Sequence, residues 1–189
     1  MTHPSSSLRA ILTAACLGIL VVQLDVSVVN VGLGALKKAF NSDLTGLQWV
    51  INSYALPFSA LLILGGAWGD KWGAKSVFAV GFAIFTLASV GCGLANSMTL
   101  LITMRMIQGI GAALLIPTSL TLIRVSFNDP DKRRSAVALW GACGGIALAA
   151  GPVIGGLMLV LGIYARWIAA LVVALLGDAA FATKSSSKA

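Results

Sequence analysis

Apolar residues run along the chain in six long stretches that are separated by short polar segments. Each stretch is close to the ~20 residues that an α-helix needs to cross the hydrocarbon core of a bilayer. Because lipid satisfies no backbone polar group, these stretches predict an all-α membrane protein with six transmembrane helices. The predicted spans are residues 9–36, 47–68, 76–95, 99–124, 135–161 and 166–183, between tails at 1–8 and 184–189.

The basic residues give these spans an orientation. Nine of the 13 Lys and Arg residues fall on the cytoplasmic side if the N-terminus is inside, and three (Lys37, Lys38 and Arg166) fall outside. This bias follows the positive-inside rule and predicts both termini in the cytoplasm of a cell whose plasma membrane the chain spans several times. The formal net charge of +7 is therefore interpreted as a topology signal and not as a nucleic-acid-binding surface.

Composition excludes most other classes of protein. Hydrophobic residues make up 58% of the 189 residues and charged residues only 10%, whereas soluble domains carry about 25% charged residues. The only histidine is His3, and all six acidic residues are aspartates. The three cysteines lie in apolar runs without metal-ligand spacing, as expected of small buried residues. The chain is therefore predicted to be no enzyme and to have no metal site and no catalytic residues.

Two charged residues lie inside the predicted spans, Asp25 in the first and Arg105 in the fourth. Each costs roughly 2.5–3.5 kcal/mol at a helix centre, so such groups are usually paired or face a cavity. Asp25 lies ~21 Å above the inner face and Arg105 ~8 Å below the outer face, at 1.5 Å per residue. In a ~30 Å core these depths coincide, so the two side chains are predicted to meet.

Helical periodicity adds polar neighbours to both residues. Arg105 and Gln108 share one face of the fourth span, while Gln23, Ser27 and Asn30 form a stripe on the first span nearly opposite Asp25. The first span is therefore predicted to contact protein or water on two sides. Two interpretations stay open for the charged pair, a structural ion pair and a functional one. Gln108 fits an interhelical hydrogen bond and a substrate contact equally well.

The fifth span is rich in glycine and contains a proline. Glycines on one face let a neighbouring helix approach closely, and a proline inside a helix bends it. The spacing predicts a groove on one side of a bent helix, which suits either a moving interface or tight static packing. The residues predicted to share that side are Gly141, Gly144, Gly145, Gly151, Pro152, Gly155 and Gly156.

Four motifs in order resemble those of the major facilitator superfamily, specifically the N-terminal half of the fourteen-span drug:proton antiporters of the methylenomycin-resistance type. "LITMRMIQGIGAA" at 101–113 matches every fixed position of the fourth-span motif of that family. "LDVSVVNVGLGAL" at 24–36 and "GAWGDKWGAK" at 66–75 resemble its first-span motif and its second-to-third-loop signature. "GPVIGG" at 151–156 matches the core of its antiporter motif.

The resemblance implies a role for each motif. Arg105 is the arginine linked to proton coupling, and Asp25 is the nearby acid that carries the proton or faces the substrate. No cofactor is expected, because the proton gradient supplies the energy. Candidate substrate-facing residues are Gln23, Ser27, Asn30 and Gln108. The resemblance implies a cytoplasmic latch at Gly66, Asp70, Lys71, Gly73 and Lys75. It implies an antiporter bend at Gly151, Pro152, Gly155 and Gly156.

The resemblance also implies a bundle built as a 3+3 inverted repeat that works against a second six-helix half. Three hypotheses follow. The first is proton-coupled efflux of small hydrophobic or cationic compounds, with the second half supplied by a homodimer or a separate chain. The second is a truncated or frameshifted inactive half-transporter, because the expected continuation after residues 166–168 is missing. The third is a non-transporting membrane partner of a full-length relative.

Overall fold

A computed structural model of the chain describes the backbone of residues 6–160 and the side chains of residues 8–157. The described part consists of five long α-helices, all of them long and apolar enough to cross a membrane. The sixth predicted span, at 166–183, and the C-terminal tail lie outside the described residues. The helices are α1 (Ser6–Phe40), α2 (Leu44–Trp72), α3 (Ala74–Gly93), α4 (Met98–Ser126) and α5 (Pro130–Val160).

Most helix ends lie beyond the apolar stretches that predicted them, because polar residues cap the helices outside the apolar core. The side chain of Asp43 accepts a hydrogen bond from the backbone N–H of Gly46 at 2.8 Å and starts α2. Ser97 does the same for the N–H of Leu100 at 3.3 Å at the start of α4. Gly73 joins α2 to α3 in a single residue, and its φ of +89° is a conformation that favours glycine.

The connection between α4 and α5 corrects one expectation of the sequence. The apolar pattern predicts that 125–134 is the longest loop, yet α4 continues to Ser126 and α5 begins at Pro130. Proline at the first helical position loses no hydrogen bond, because that N–H has no partner inside the helix. Four of the five charged residues of this segment, at positions 131–134, therefore lie in the first turns of α5.

Helix α4 lies at the centre of the bundle. It packs mainly against α2 and α3 and also against α1, while α5 packs mainly against α1. Apolar side chains from α1 to α4 form the main core, with Phe85 and Leu115 almost fully buried. The buried members of this core are Val21, Val22, Tyr54, Ala74, Phe78, Phe82, Phe85, Ala112, Leu115 and Leu122.

Helix α1 contacts protein on two sides, as the sequence predicted. Asp25 faces α4, and the hydroxyl of Ser27 donates a hydrogen bond to the carbonyl of Leu148 on α5 at 3.1 Å. Trp140 on α5 donates from Nε1 to the hydroxyl of Ser119 on α4 at 3.0 Å. Trp140 therefore has a packing role between α4 and α5.

The glycines of α5 lie on one side of the helix, as the spacing predicted, but they form two stripes that differ in their contacts. A Cβ atom at Gly144 would lie 2.9 Å from Ile19 of α1, and one at Gly155 would lie 3.3 Å from Val28 of α1. A Cβ atom at Gly151 would overlap Ser27. No described atom lies within 4 Å of a Cβ placed at the other three, which are Gly141, Gly145 and Gly156. One stripe is therefore packed on α1, and the other, called the open stripe below, makes no close contact with the described part of the chain.

Candidate functional site

Three polar side chains form a closed ring of hydrogen bonds between α1 and α4. Arg105 Nη1 lies 2.5 Å from Asp25 Oδ2 and 2.9 Å from Gln108 Oε1. Gln108 Nε2 donates to Asp25 Oδ1 at 2.8 Å. Both carboxylate oxygens of Asp25 are therefore occupied. The side chains of Arg105 and Asp25 are only 4% and 10% exposed, so this is a buried ion pair.

The ring follows from helical geometry on both sides. Arg105 and Gln108 are three residues apart on α4, so their side chains project from the same face. Asp25 reaches both of them from α1. The predicted meeting of Asp25 and Arg105 is confirmed by their contact.

Two further side chains complete the surroundings of Arg105. The guanidinium carbon lies 4.4 Å from the ring centroid of Tyr54 on α2, a cation–π contact. Cys92 on α3 donates from Sγ to Gln108 Oε1 at 3.6 Å. The Tyr54 hydroxyl and Arg105 Nε are buried without a hydrogen-bond partner among the described residues. The charge of Arg105 is thus enclosed by α1, α2, α3 and its own helix.

Glycine on α4 lets α2 come close enough for this contact. A Cβ atom at Gly109 would overlap the carbonyl oxygen of Tyr54 and lie 3.1 Å from Pro57 Cγ. Small residues at a helix interface allow the backbones to approach closely in a membrane. Gly109 therefore helps to place the ring of Tyr54 against Arg105.

The cluster joins a group that keeps its charge to a group that can lose its charge. A guanidinium stays protonated under physiological conditions, whereas a carboxylate can take up a proton and then becomes neutral. Protonation of Asp25 replaces an ion pair by a weaker set of hydrogen bonds. A buried pair of this kind can therefore change the contact between α1 and α4 when it binds or releases a proton.

The other predicted substrate-facing residues differ in their exposure. Asn30 is exposed and Gln23 is half-buried, so both retain access to the surroundings of the bundle. Ser27 is buried against α5, where its hydroxyl is hydrogen-bonded, and Gln108 is fully buried in the ring. Ser27 and Gln108 therefore contact protein in this structure. Substrate contact stays a prediction for all four residues.

The predicted latch residues lie where α2 ends and α3 begins, at the end of α2 that is remote from Tyr54. Asp70 Oδ1 lies 3.5 Å from Nη2 of Arg124 on α4, and both side chains are about two-thirds exposed. Lys71 Nζ lies 5.8 Å from the ring of Trp72, and Lys75 is exposed. A Cβ atom at Gly66 would make ordinary contact with Pro117 of α4, at 3.6 Å. The latch role of this group stays a prediction.

The predicted antiporter bend lies within one continuous helix. Helix α5 passes through Pro152 without interruption, and Pro152 itself is exposed. Gly151 and Gly155 pack on α1, whereas Gly156 belongs to the open stripe. The motif therefore contributes to both stripes on this side of α5.

Tyr54 and Cys92 are the residues around Arg105 that the sequence interpretation missed. A usable signal existed for Tyr54. It lies seven residues inside the predicted start of the second span, ~10 Å below the outer face at 1.5 Å per residue. That depth is close to the depth of Asp25 and Arg105. Cys92 gave no comparable signal, since a cysteine in an apolar run is an ordinary buried residue.

Comparison with known proteins assigns the family. The sequence profile described as Major Facilitator Superfamily matches residues 15–185. The methylenomycin A resistance protein of Bacillus subtilis is 41% identical over 154 residues, which are 82% of this chain and 33% of that protein. The protein of the same name from Streptomyces coelicolor is 40% identical over 147 residues, which are 78% of this chain and 31% of that protein.

A solved structure shows the same fold. The crystal structure of a bacterial homologue of the human lysosomal transporter Spinster, in an inward-facing and unoccupied conformation, matches with a TM-score of 0.74 at 18% identity. The match covers 96% of this chain and 43% of that one.

The chain belongs to the major facilitator superfamily of membrane transporters, and its relatives include drug and antibiotic resistance exporters. It is a multi-pass protein of the plasma membrane. It spans about a third of the length of the curated relatives that it matches.

Proposed function

We propose that this chain is the N-terminal six-helix bundle of a proton-coupled exporter. Together with a second six-helix half, it would exchange protons for small hydrophobic or cationic compounds. Asp25 carries the proton, and Arg105 is the fixed charge that senses whether Asp25 is ionised. The observation that carries this proposal is the buried ring of hydrogen bonds among Asp25, Arg105 and Gln108, which joins α1 to α4 inside the apolar spans.

The ring supports coupling because of where it lies. Asp25 is on α1 and Arg105 on α4, the first helices of the two three-helix units in a 3+3 inverted repeat. Proton uptake changes the contact between these two units. Removing one partner of a buried ion pair has a large energetic cost, so a proton bound there shifts the packing more than a proton bound at the surface does.

Helix packing supports the inverted repeat. In a 3+3 repeat, α1 corresponds to α4 and α2 corresponds to α5. The contact between α1 and α5 therefore corresponds to the contact between α4 and α2. These are two of the three most extensive helix contacts among residues 6–160. An inverted repeat places a substrate site near the midplane between two bundles. With the N-terminus inside, it also places the C-terminus inside, in agreement with the distribution of basic residues.

The open stripe of α5 supports the need for a second half. A Cβ atom at Gly141, Gly145 or Gly156 would have no described atom within 4 Å. Glycines on a membrane helix provide close-packing surface for another helix. A second six-helix half, as a separate chain or as a second copy of this one, would cover this stripe.

Proton-for-substrate exchange in everted membrane vesicles tests the proposal. The chain is expressed alone and together with the C-terminal half of the Bacillus subtilis relative, with ethidium as the cationic probe and a pH-sensitive dye inside. Ethidium should release protons from energised vesicles that hold both halves. Asp25→Asn should abolish that release, because an amide binds no proton in this range.

The matched control is Asp131→Asn, which removes an exposed acid at the start of α5 and should leave the release intact. The amount of each variant in the membrane is measured in parallel. Proton release by Asp25→Asn vesicles at the unsubstituted rate would overturn the assignment of Asp25. Absence of release from vesicles that hold both halves of the unsubstituted chain would overturn the exporter proposal itself.

A further inference from the structure

Tyr54 has an unusual position for a residue outside the hydrogen-bonded ring. Its side chain is 6% exposed, and its ring face lies 4.4 Å from the guanidinium carbon of Arg105. The hydroxyl makes no hydrogen bond to any described residue. The contribution of Tyr54 to Arg105 in this structure therefore comes from the face of the aromatic ring. Such cation–π contacts are strongest where water is excluded.

The groups that face Arg105 can be assigned to each surrounding helix. Asp25 on α1 supplies the negative charge, Tyr54 on α2 the ring face, and Cys92 on α3 a thiol. Gln108 on α4 supplies an amide oxygen. Among the described residues, Asp25 is the one anion in contact with Arg105. When Asp25 is neutral, its carboxyl group can still accept a hydrogen bond, but the cation has lost its anionic partner within the described part of the chain, and the ring face and the amide of Gln108 carry more of its stabilisation.

We propose that Tyr54 is a positioning residue that holds Arg105 in place while Asp25 is protonated. The inference rests on the proposed function, in which Asp25 takes up the proton. Arg105 stays charged in both states, and a charged guanidinium in the membrane needs a compensating partner. The ring face supplies negative electrostatic potential that does not depend on the binding or release of a proton. Arg105 therefore keeps its position for the next deprotonation of Asp25.

A series of fluorinated phenylalanines at position 54 tests this role. Fluorine withdraws electron density from the ring face with little change in ring size, so it weakens a cation–π contact in steps. The parent variant is Tyr54→Phe, since the hydroxyl has no partner among the described residues. The series adds one, two and three fluorines by amber suppression. The readout is the unfolding equilibrium constant of the purified chain, from SDS titration in mixed micelles.

The series is measured with Asp25 present and in the Asp25→Asn variant, which imitates the neutral carboxyl group. In Asp25→Asn, the unfolding constant should rise stepwise by about 5- to 30-fold over the three fluorines. In the chain that retains Asp25, the increase per added fluorine should be smaller, because the carboxylate also holds Arg105. The slope, meaning the change in the unfolding constant per added fluorine, should vanish in an Arg105→Met background.

Phe58 provides a matched control on the same helix. Its ring stacks on Tyr54 with centroids 6.0 Å apart, so it shares the environment of Tyr54 but is not the ring that lies over the guanidinium. The same fluorines at Phe58 should give no slope that depends on Asp25. Equal slopes at position 54 in the unsubstituted and the Asp25→Asn backgrounds, or a slope that survives Arg105→Met, would overturn the proposal.

Failure of the exporter proposal is distinguishable from failure of this one. The SDS titration needs no transport and no second half, so the slopes are measurable whether or not vesicles exchange protons for ethidium. If Arg105→Met yields no folded protein, the comparison of Asp25 with Asp25→Asn and the Phe58 series still decide the outcome.

Discussion

The two ends of α4 each carry an arginine that pairs with an aspartate of another helix, and the two pairs lie in opposite environments. Arg105 and Asp25 are 4% and 10% exposed, with their charged atoms 2.5 Å apart. Arg124 and Asp70 are 65% and 64% exposed, with charged atoms 3.5 Å apart. The residue types are identical. Burial is therefore the variable that separates a candidate coupling site from a surface contact.

The difference arises from what surrounds each pair. Around Arg105, the helices α1, α2 and α3 supply a carboxylate, a ring face and a thiol, and little of the pair is exposed. Two unit charges attract only weakly in water, and much more strongly where the effective dielectric constant is low. The buried pair therefore has a high desolvation cost, and each of its two charges depends on the other for stabilisation. The exposed pair has little of either.

The largest expected effect is the removal of one partner from the buried pair. Asp25→Leu leaves the guanidinium of Arg105 buried without an anion, which should destabilise the bundle by about 3–5 kcal/mol. The matched change at the other end, Asp70→Leu, should cost about 0–1 kcal/mol. SDS titration of the purified variants in mixed micelles measures both.

A double variant separates the cost of an unpaired charge from the value of the pair. Asp25→Leu with Arg105→Leu should recover most of the loss of Asp25→Leu, because no buried charge remains. Similar losses for Asp25→Leu and Asp70→Leu would contradict the comparison between the two ends of α4.

The sequence predicted the meeting of Asp25 and Arg105 but not the full surroundings of the pair. Asp25 and Arg105 stand out because charges are rare in apolar spans, and counting residues from each membrane face gave them a common depth. Tyr54 does not stand out, since an aromatic residue in an apolar span fits the core as well as a site. The side of α2 that faces Arg105 depends on how α2 packs against Gly109 of α4. That packing involves two helices, so the sequence of α2 alone does not reveal it.

The glycines of α5 show a similar limit. Their spacing predicted small residues along one side of the helix, but the division into a packed and an open stripe depends on where α1 lies. Helix lengths were underestimated for a different reason. Apolar stretches mark the hydrocarbon core, whereas Asp43 and Ser97 cap helices outside it. The sixth span lies outside the described residues and stays a prediction.

A smaller effect is expected from the backbone contact that brings α2 to the buried pair. Gly109→Ala places a methyl group against the carbonyl oxygen of Tyr54, which is backbone and cannot rotate away. Overpacking of this kind should cost about 1–3 kcal/mol. The control is Gly66→Ala, nearer the cytoplasmic end of the same interface, where the nearest atom is Pro117 Cβ at 3.6 Å.

Gly66→Ala should be neutral, or stabilising by up to about 1 kcal/mol, because alanine favours a helix over glycine. The pair of variants is compared by SDS titration under the same conditions. Equal stabilities would mean that α2 can move away from α4 without loss, and that the outer half of this interface is no tighter than its cytoplasmic end.

The smallest expected effect is also the one that salt should erase. Arg124→Gln removes the exposed pair with Asp70 and should cost about 0–1 kcal/mol at low ionic strength. The Debye length falls from about 10 Å at 0.1 M salt to about 3 Å at 1 M, so the difference from the unsubstituted chain should disappear at about 1 M NaCl. The loss caused by Asp25→Leu should persist at both concentrations, because ions in solution do not screen a group that water does not reach. A loss from Arg124→Gln that survives high salt would show that Arg124 stabilises the bundle through contacts other than this ion pair. In that case exposure alone would no longer explain why only one end of α4 binds its arginine tightly.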